Sequence, residues 1–273
     1  MRISSEIKTE DWQEFVSNHP DGNAFQTPGM YDFFATVKRF SPLAIGAFDE
    51  NNELCSILTG LFIREKEGIG KLLSCRFVIY GGPLIKGDEE QKRHCLDLLL
   101  GELVKQTGKK ALFIQFRNYF SWEGYIDVFE KHGFTLLDRL NYIVRLREAR
   151  DRRPATGDRK PESKDLRITN EEPATSNRQP VTISRESILF TLSATRRRQI
   201  RKGLASGAEI IEPENVEQVR EFYDILYKLY RYKVRKPLAD WSFFESFYNQ
   251  SAPRTTNREP HTGIGIIRLI RFN

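Results

Sequence analysis

The chain has 273 residues, 39% of them hydrophobic and 12% aromatic, which is enough to bury a core and longer than one ordinary domain needs. Lys and Arg total 43 against 37 Asp and Glu, so the net charge of +6 is modest and no DNA partner is expected. No apolar run reaches the roughly 20 residues of a membrane span. The N-terminus "MRISSEIKTEDW" lacks the apolar centre of a signal peptide, which makes the cytoplasm the expected compartment. The three cysteines, Cys55, Cys75 and Cys95, form no CxxC pair and support neither a disulfide framework nor a zinc site.

Periodicity predicts a short helix over residues 9–17, capped by Thr9, with Trp12, Phe15 and Val16 on one face. A second helix is predicted over 28–39, with Pro28 in its first turn, Tyr31, Phe34 and Val37 on its buried face and Lys38 at its end. From Pro42 the pattern turns to strands: "LAIGAFD", a turn at Asn51 and Asn52, and "LCSILTGLFIRE" read as a β-hairpin. "SCRFVIYGGPLI" is a third strand running into a glycine pair, after which Asp88 opens a helix through "CLDLLLGELVKQTG". "KALFIQFRN" is a strand, "YIDVFEKHG" a helix stopped by Gly133, and "FTLLDRLNYIVRL" an antiparallel-looking pair. The alternation predicts an α/β fold with a mixed sheet flanked by helices over residues 1–146.

Residues 147–187 differ in kind. Most of this stretch is rich in Arg, Pro, Glu, Ser and Thr and nearly devoid of apolar side chains, so an ordering cost has little burial to offset it. A disordered insertion is expected there. Residues 188–273 resume order with a basic helix capped by Ser193, whose Ile200 and Leu204 share a face that can be buried. A short strand around Ile210 follows. Asn215 then caps a periodic helix bearing Val219, Phe222, Tyr223 and Leu226, Asp240 caps "WSFFESFY", and "GIGIIRLIRFN" is a terminal strand-like run that needs a neighbour to satisfy its backbone groups.

Few residues advertise chemistry. The glycine pairs at Gly68, Gly70 and Gly263, Gly265 lack the further glycine of a dinucleotide fingerprint and the lysine of a P-loop. The Arg or Gln that precedes an acetyltransferase pyrophosphate loop is also missing, with Glu65 and Pro260 in its place. The four histidines have no metal-ligand spacing and no nucleophile elbow is present. What stands out is "YGGPL", Tyr80 to Leu84, between a strand and a helix where open sheets place ligands. The other conspicuous stretch is the basic run with Arg197, Arg198, Arg201 and Lys202. Guanidinium groups suit bidentate contacts to phosphate, although most charge runs are solvated faces.

Three segments in order, "FQTPGMYDFFATVKRFSP", "RFVIYGGPL", and "RRRQIRKGLASGAEI" followed by "FYDILYKLYRYKVRKPLADWSFFESFY", make the sequence resemble the FemABX family. These are the peptidoglycan bridge-forming aminoacyltransferases, built from two acetyltransferase-like (GNAT) domains. The resemblance covers residues 9–146 and 188–250 and rests on order and spacing, not on one motif. It implies transfer of an amino acid from aminoacyl-tRNA to the stem peptide of a UDP- or lipid-linked muropeptide, with no coenzyme A or other cofactor. It also implies that Lys38 and either Arg231 or Arg235 meet substrate phosphates, that Tyr80, Gly81, Gly82 and Pro83 line the substrate cleft, and that the basic helix faces phosphate or tRNA. Peripheral membrane contact is compatible with it. The family pattern places only the opening of a second GNAT-like domain within 188–273, which would leave a truncated or split protein without activity of its own. Two alternatives stay open: a GNAT-like acyltransferase of exopolysaccharide synthesis, and a non-catalytic polyanion-binding fragment.

Overall fold

The computed structural model describes residues 1–64, 74–137, 192–251 and 264–272. The insertion at 147–187, the strand pair expected from 134 to 146 beyond Leu137, and Gly68, Gly70, His261 and Gly263 lie outside the described residues. The chain divides into two compact units, one of residues 1–137 with 210–269 and one of residues 138–209 with 270–273.

The larger unit is organised by a six-stranded mixed sheet. Its strands are β1 (Arg2–Ser4), β2 (Phe40–Phe48), β3 (Leu54–Arg64), β4 (Cys75–Tyr80), β5 (Leu84–Ile85) and β6 (Ile114–Arg117). They run in the order β1-β2-β3-β4-β6, with β5 paired to β3 beside this path. The β2–β3 hairpin forms where alternation placed it, and its turn uses Asn52 at a φ of 64°. Every pairing is antiparallel except β4 with β6, which runs parallel from Phe77↔Ile114 to Tyr80↔Arg117. A parallel neighbour needs a crossover, and α3 (Glu89–Thr107) supplies it. Asp88 caps α3 in a reciprocal pair with Gln91.

Period two sorts the strand side chains to opposite faces. Ile45, Leu58, Phe62, Phe77 and Ile79 pack with Leu96, Leu99, Leu100 and Leu103 of α3, and Val128 of α4 (Ile126–Lys131) joins them. On the other face Ala44, Ile57 and Leu84 meet Trp12, Phe15 and Val16 of α1 (Thr9–Asn18). Leu61 meets Met30, Phe33 and Phe34 of α2 (Pro28–Thr36). Each such fully buried Leu or Phe contributes about 1.5–3 kcal/mol. The sheet is therefore sandwiched between helices, as the alternation implied.

Three boundaries differ from expectation. Thr9 is the first residue of α1, not its cap, because Lys8 takes the extended cap position. Helix α2 ends at Thr36 because Val37 turns extended and Arg39 adopts a φ of 69°. The third strand stops at Tyr80, since Gly81 and Gly82 reverse the chain so that Leu84–Ile85 pairs separately with β3. Strand β1 had no sequence signal, being three residues long.

In the C-terminal part, Ser193 caps α5 (Ala194–Ala205), Asn215 caps α6 (Val216–Leu229) and Asp240 caps α7 (Trp241–Gln250), all through side-chain oxygens. Strands β7 (Ala208–Ile211) and β8 (Leu269–Phe272) form a two-stranded sheet, so the terminal strand has its partner in the short strand around Ile210.

Candidate functional site

Because β4 and β6 run parallel, both deliver their last residues to the same end of the sheet. Tyr80 and Arg117 emerge there side by side, with the Arg117 guanidinium 5.2 Å from the Tyr80 ring centroid. Phe25 stacks on Tyr80, centroids 5.1 Å apart and planes 25° from parallel, and Tyr119 lies 6.5 Å from Phe25. Burial pushes the Tyr119 phenol up, with Tyr80 adding to the shift and Arg117 opposing it. Phe25 and Tyr80 also border a small apolar hollow, with room for about one water molecule, whose lining includes Tyr31, Phe34, Pro42, Thr59 and Leu61.

Directly behind Tyr80 the chain makes a turn that only glycines fit. Gly81 and Gly82 sit at φ of 91° and 76°, and a Cβ on Gly81 would run into Asn23 Nδ2 while one on Gly82 would stand 2.7 Å from Asn118 Oδ1. The buried Gln26 fastens this turn. Its Nε2 donates to the Gly82 carbonyl at 2.8 Å, and its Oε1 accepts from Asn23 Nδ2 and the Asn23 N–H. The Gln26 carbonyl accepts from Trp12 Nε1 at 2.6 Å. Gly81, Gly82 and Pro83 are themselves buried, whereas Tyr80 is partly exposed beside Phe25 and Arg117. Trp122 Nε1 is also buried here and has no hydrogen-bond partner among the described residues.

Lys38 lies two residues past α2, exposed, and its backbone N–H donates to Ser242 Oγ at 3.0 Å. This joins it to the start of α7, where Asp240 caps the helix by accepting from the Ser242 N–H. Burial alone would raise the Asp240 carboxyl, but hydrogen bonds from Ser242, with Arg39 and Lys38 nearby, hold it below its ordinary value. The seat is firm because α7 is docked: Phe243 and Phe247 meet Phe33 edge-on at 5.2 and 5.6 Å, and Gln250 Nε2 donates to Thr36 Oγ1.

Arg231 lies in a π-helical turn, Tyr230–Val234, that follows α6, and Arg235 is the residue that ends it. Such turns recur at functional sites. The guanidinium of Arg231 donates to Tyr227 Oη at 3.2 Å, and Arg235 closes the turn in the left-handed region at a φ of 53°. Both are exposed. Arg197, Arg198, Arg201 and Lys202 are carried by α5, none of whose residues is fully buried, and the Ile200 and Leu204 side chains, whose face could have been buried, are 37% and 46% exposed.

Sequence reasoning missed Phe25, Asn23, Gln26, Arg117 and Tyr119. Only the parallel pairing of β4 with β6 and the seat of residues 23–26 under the turn unite them, and neither has a local signal. Among the described residues no three His, Cys, Asp or Glu side chains gather to hold a metal ion. No helix among them is long and apolar enough to cross a membrane.

No family model matches the sequence, and no curated protein matches it. Among solved structures the chain is similar to FemX, with a TM-score of 0.53 and 15% identity over 91% of this chain and 54% of that one. It thus spans about half the length of FemX. Shorter likenesses include an aminoglycoside 6'-N-acetyltransferase from Acinetobacter haemolyticus, TM-score 0.37 at 14% identity over 54% of this chain and all 100% of that one. A ribosomal-protein-alanine N-acetyltransferase from Brucella melitensis gives TM-score 0.37 at 12% identity over the same 54% and 100%. The sheet, its flanking helices and the match to FemX together give the chain a FemX-like α/β fold.

Proposed function

We propose that this chain is an acyltransferase component of the FemABX type, which moves an amino acid from aminoacyl-tRNA to the amino group of a peptidoglycan precursor stem peptide in the cytoplasm. The observation that carries the reading is the likeness to FemX over 91% of the chain, in company with three sequence segments in the family's order. On this reading residues 1–146 form one GNAT-like domain, 147–187 an insertion, and 188–273 the start of a second domain.

The chemistry is attack of an amine nitrogen on an ester carbonyl. The C–N bond forms, the bond to the tRNA ribose oxygen breaks, and the amine proton leaves with that oxygen. Such a reaction needs positioning and charge stabilisation more than a nucleophile or a metal. Lys38, exposed and held by its backbone to the capped start of α7, meets the precursor's phosphates, and Arg231 and Arg235 offer a second phosphate contact. The stacked rings of Phe25 and Tyr80 offer an aromatic surface for the less polar part of the precursor.

Calorimetric titration of the full chain with UDP-MurNAc-pentapeptide, beside Lys38→Ala, tests the proposal. Saturable binding that Lys38→Ala weakens at least about tenfold, the equivalent of roughly 1.4 kcal/mol, supports it. A folded chain that binds no precursor sinks it. Co-purification of coenzyme A would favour an exopolysaccharide-type acyltransferase instead.

A further inference from the structure

Helix α5 has a composition and an exposure that belong together. Within 12 residues it carries Arg196, Arg197, Arg198, Arg201 and Lys202, it contains no acidic residue, and none of its residues is fully buried. Among the described residues no carboxylate pairs with these cations, and the next acidic side chain along the chain, Glu209, is taken by Arg271 at 3.1 Å. A purely solvated basic helix has no use for aliphatic side chains, yet Ile200 and Leu204 stand 37% and 46% exposed one turn apart.

Their placement among the cations is informative. At 3.6 residues per turn Ile200 and Leu204 lie about 40° apart around the axis, with Arg196 about 40° to one side of them and Arg197 and Arg201 within about 60° on the other. The strip is therefore apolar at its centre and cationic along both borders. A phosphodiester backbone presents anionic oxygens and gives an aliphatic strip nothing to contact. An anionic bilayer offers both: headgroup phosphates for the arginines and the acyl boundary for Ile200 and Leu204, with the long arginine stems covering the transition.

We infer that α5 is a docking helix for an anionic lipid surface, lying in the plane of the headgroups with Ile200 and Leu204 inserted and Arg196, Arg197 and Arg201 on lipid phosphates. This concerns where the chain sits and not the transfer chemistry, so a failure to bind muropeptide would leave it standing.

Flotation of the full chain with vesicles tests it, using phosphatidylcholine alone and phosphatidylcholine mixed with phosphatidylglycerol, with bulk tRNA as the competing polyanion. The expected result is binding to the mixed vesicles only, weakened by salt, and lowered at least about tenfold in the charge-neutral double variant Ile200→Gln, Leu204→Gln while tRNA binding stays unchanged. Both side chains are exposed, so the variant should keep the wild-type circular dichroism. If it does not, Ile200→Ala with Leu204→Ala must show the same selective loss of anionic-vesicle binding. Absence of binding to the mixed vesicles, equal binding of wild type and glutamine variant to them, or binding of tRNA alone would each overturn the inference.

Discussion

Helices α3 and α5 both place aliphatic residues a turn apart, but they meet different surroundings. In α3, Leu96, Leu99, Leu100 and Leu103 are fully buried against the sheet, whereas in α5 Ile200 and Leu204 remain exposed between arginines. The i, i+4 pattern is the same in both, so the pattern says only that a face exists. The composition around it decides what the face meets. Leucines and a cysteine surround those of α3, and guanidiniums border those of α5.

Four perturbations sharpen or break that contrast. The largest effect is expected from Phe77→Ala, which removes a fully buried ring from the centre of the sheet. It should cost about 3–5 kcal/mol, read as a lowered urea midpoint. Next comes Gly82→Ala, where a left-handed backbone and Asn118 at 2.7 Å both oppose a methyl group. A loss of about 1–3 kcal/mol is expected, together with a changed environment at Tyr80 visible in near-ultraviolet circular dichroism.

The third concerns pH. Burial lowers the pKa of His19 below 6.5, against the raising influence of its hydrogen bond to the Ile85 carbonyl. A depressed folded-state pKa means that the unfolded chain takes up the proton first as pH falls. Its contribution to stability is therefore complete above about pH 6.5 and is lost as pH drops through the lower folded value. Urea midpoints at pH 7 and pH 5 should fall on acidification, and His19→Gln should flatten the change. Asp97, held below its ordinary value by hydrogen bonds from Lys131 and His132, acts the same way but only in the more acidic carboxylate range.

The smallest effect is expected from Ile200→Ala, within about 0.5 kcal/mol in urea unfolding, as for other exposed positions. A loss comparable to that of Phe77→Ala would mean that the strip on α5 is packed, and the contrast between the helices would collapse.

Much of the architecture was legible because it is local. The β2–β3 hairpin, the Asp88, Asn215, Asp240 and Ser193 caps and the buried face of α1 all follow from spacing and cap chemistry within a few residues. The end of α2 was less legible, since the left-handed turn at Arg39 is a conformation that an arginine seldom adopts and that docking of α7 accompanies. The cluster around Tyr80 had no local signal beyond Tyr80 itself. Phe25 and Arg117 reach its ring from 55 residues before and 37 after, Arg117 through a strand pairing that sequence periodicity does not specify. The openness of α5 was hidden for a related reason: periodicity marks an apolar face without saying whether anything will cover it.

The amide of Gln26 also has a consequence for how this molecule can change over time. One nitrogen donates to the Gly82 carbonyl and one oxygen accepts from Asn23, while the same residue's backbone receives Trp12. Glutamate has nearly the same shape, yet a carboxylate would set an acceptor against the Gly82 carbonyl, so a single atom separates a fitting residue from a repelling one. A change at any one of Trp12, Asn23, Gln26 or the glycine pair therefore leaves a partner among the others unmatched. Phe25, Arg117 and Tyr119 stand outside that mutual arrangement, so substitutions there can alter the surface around Tyr80 without disturbing the turn.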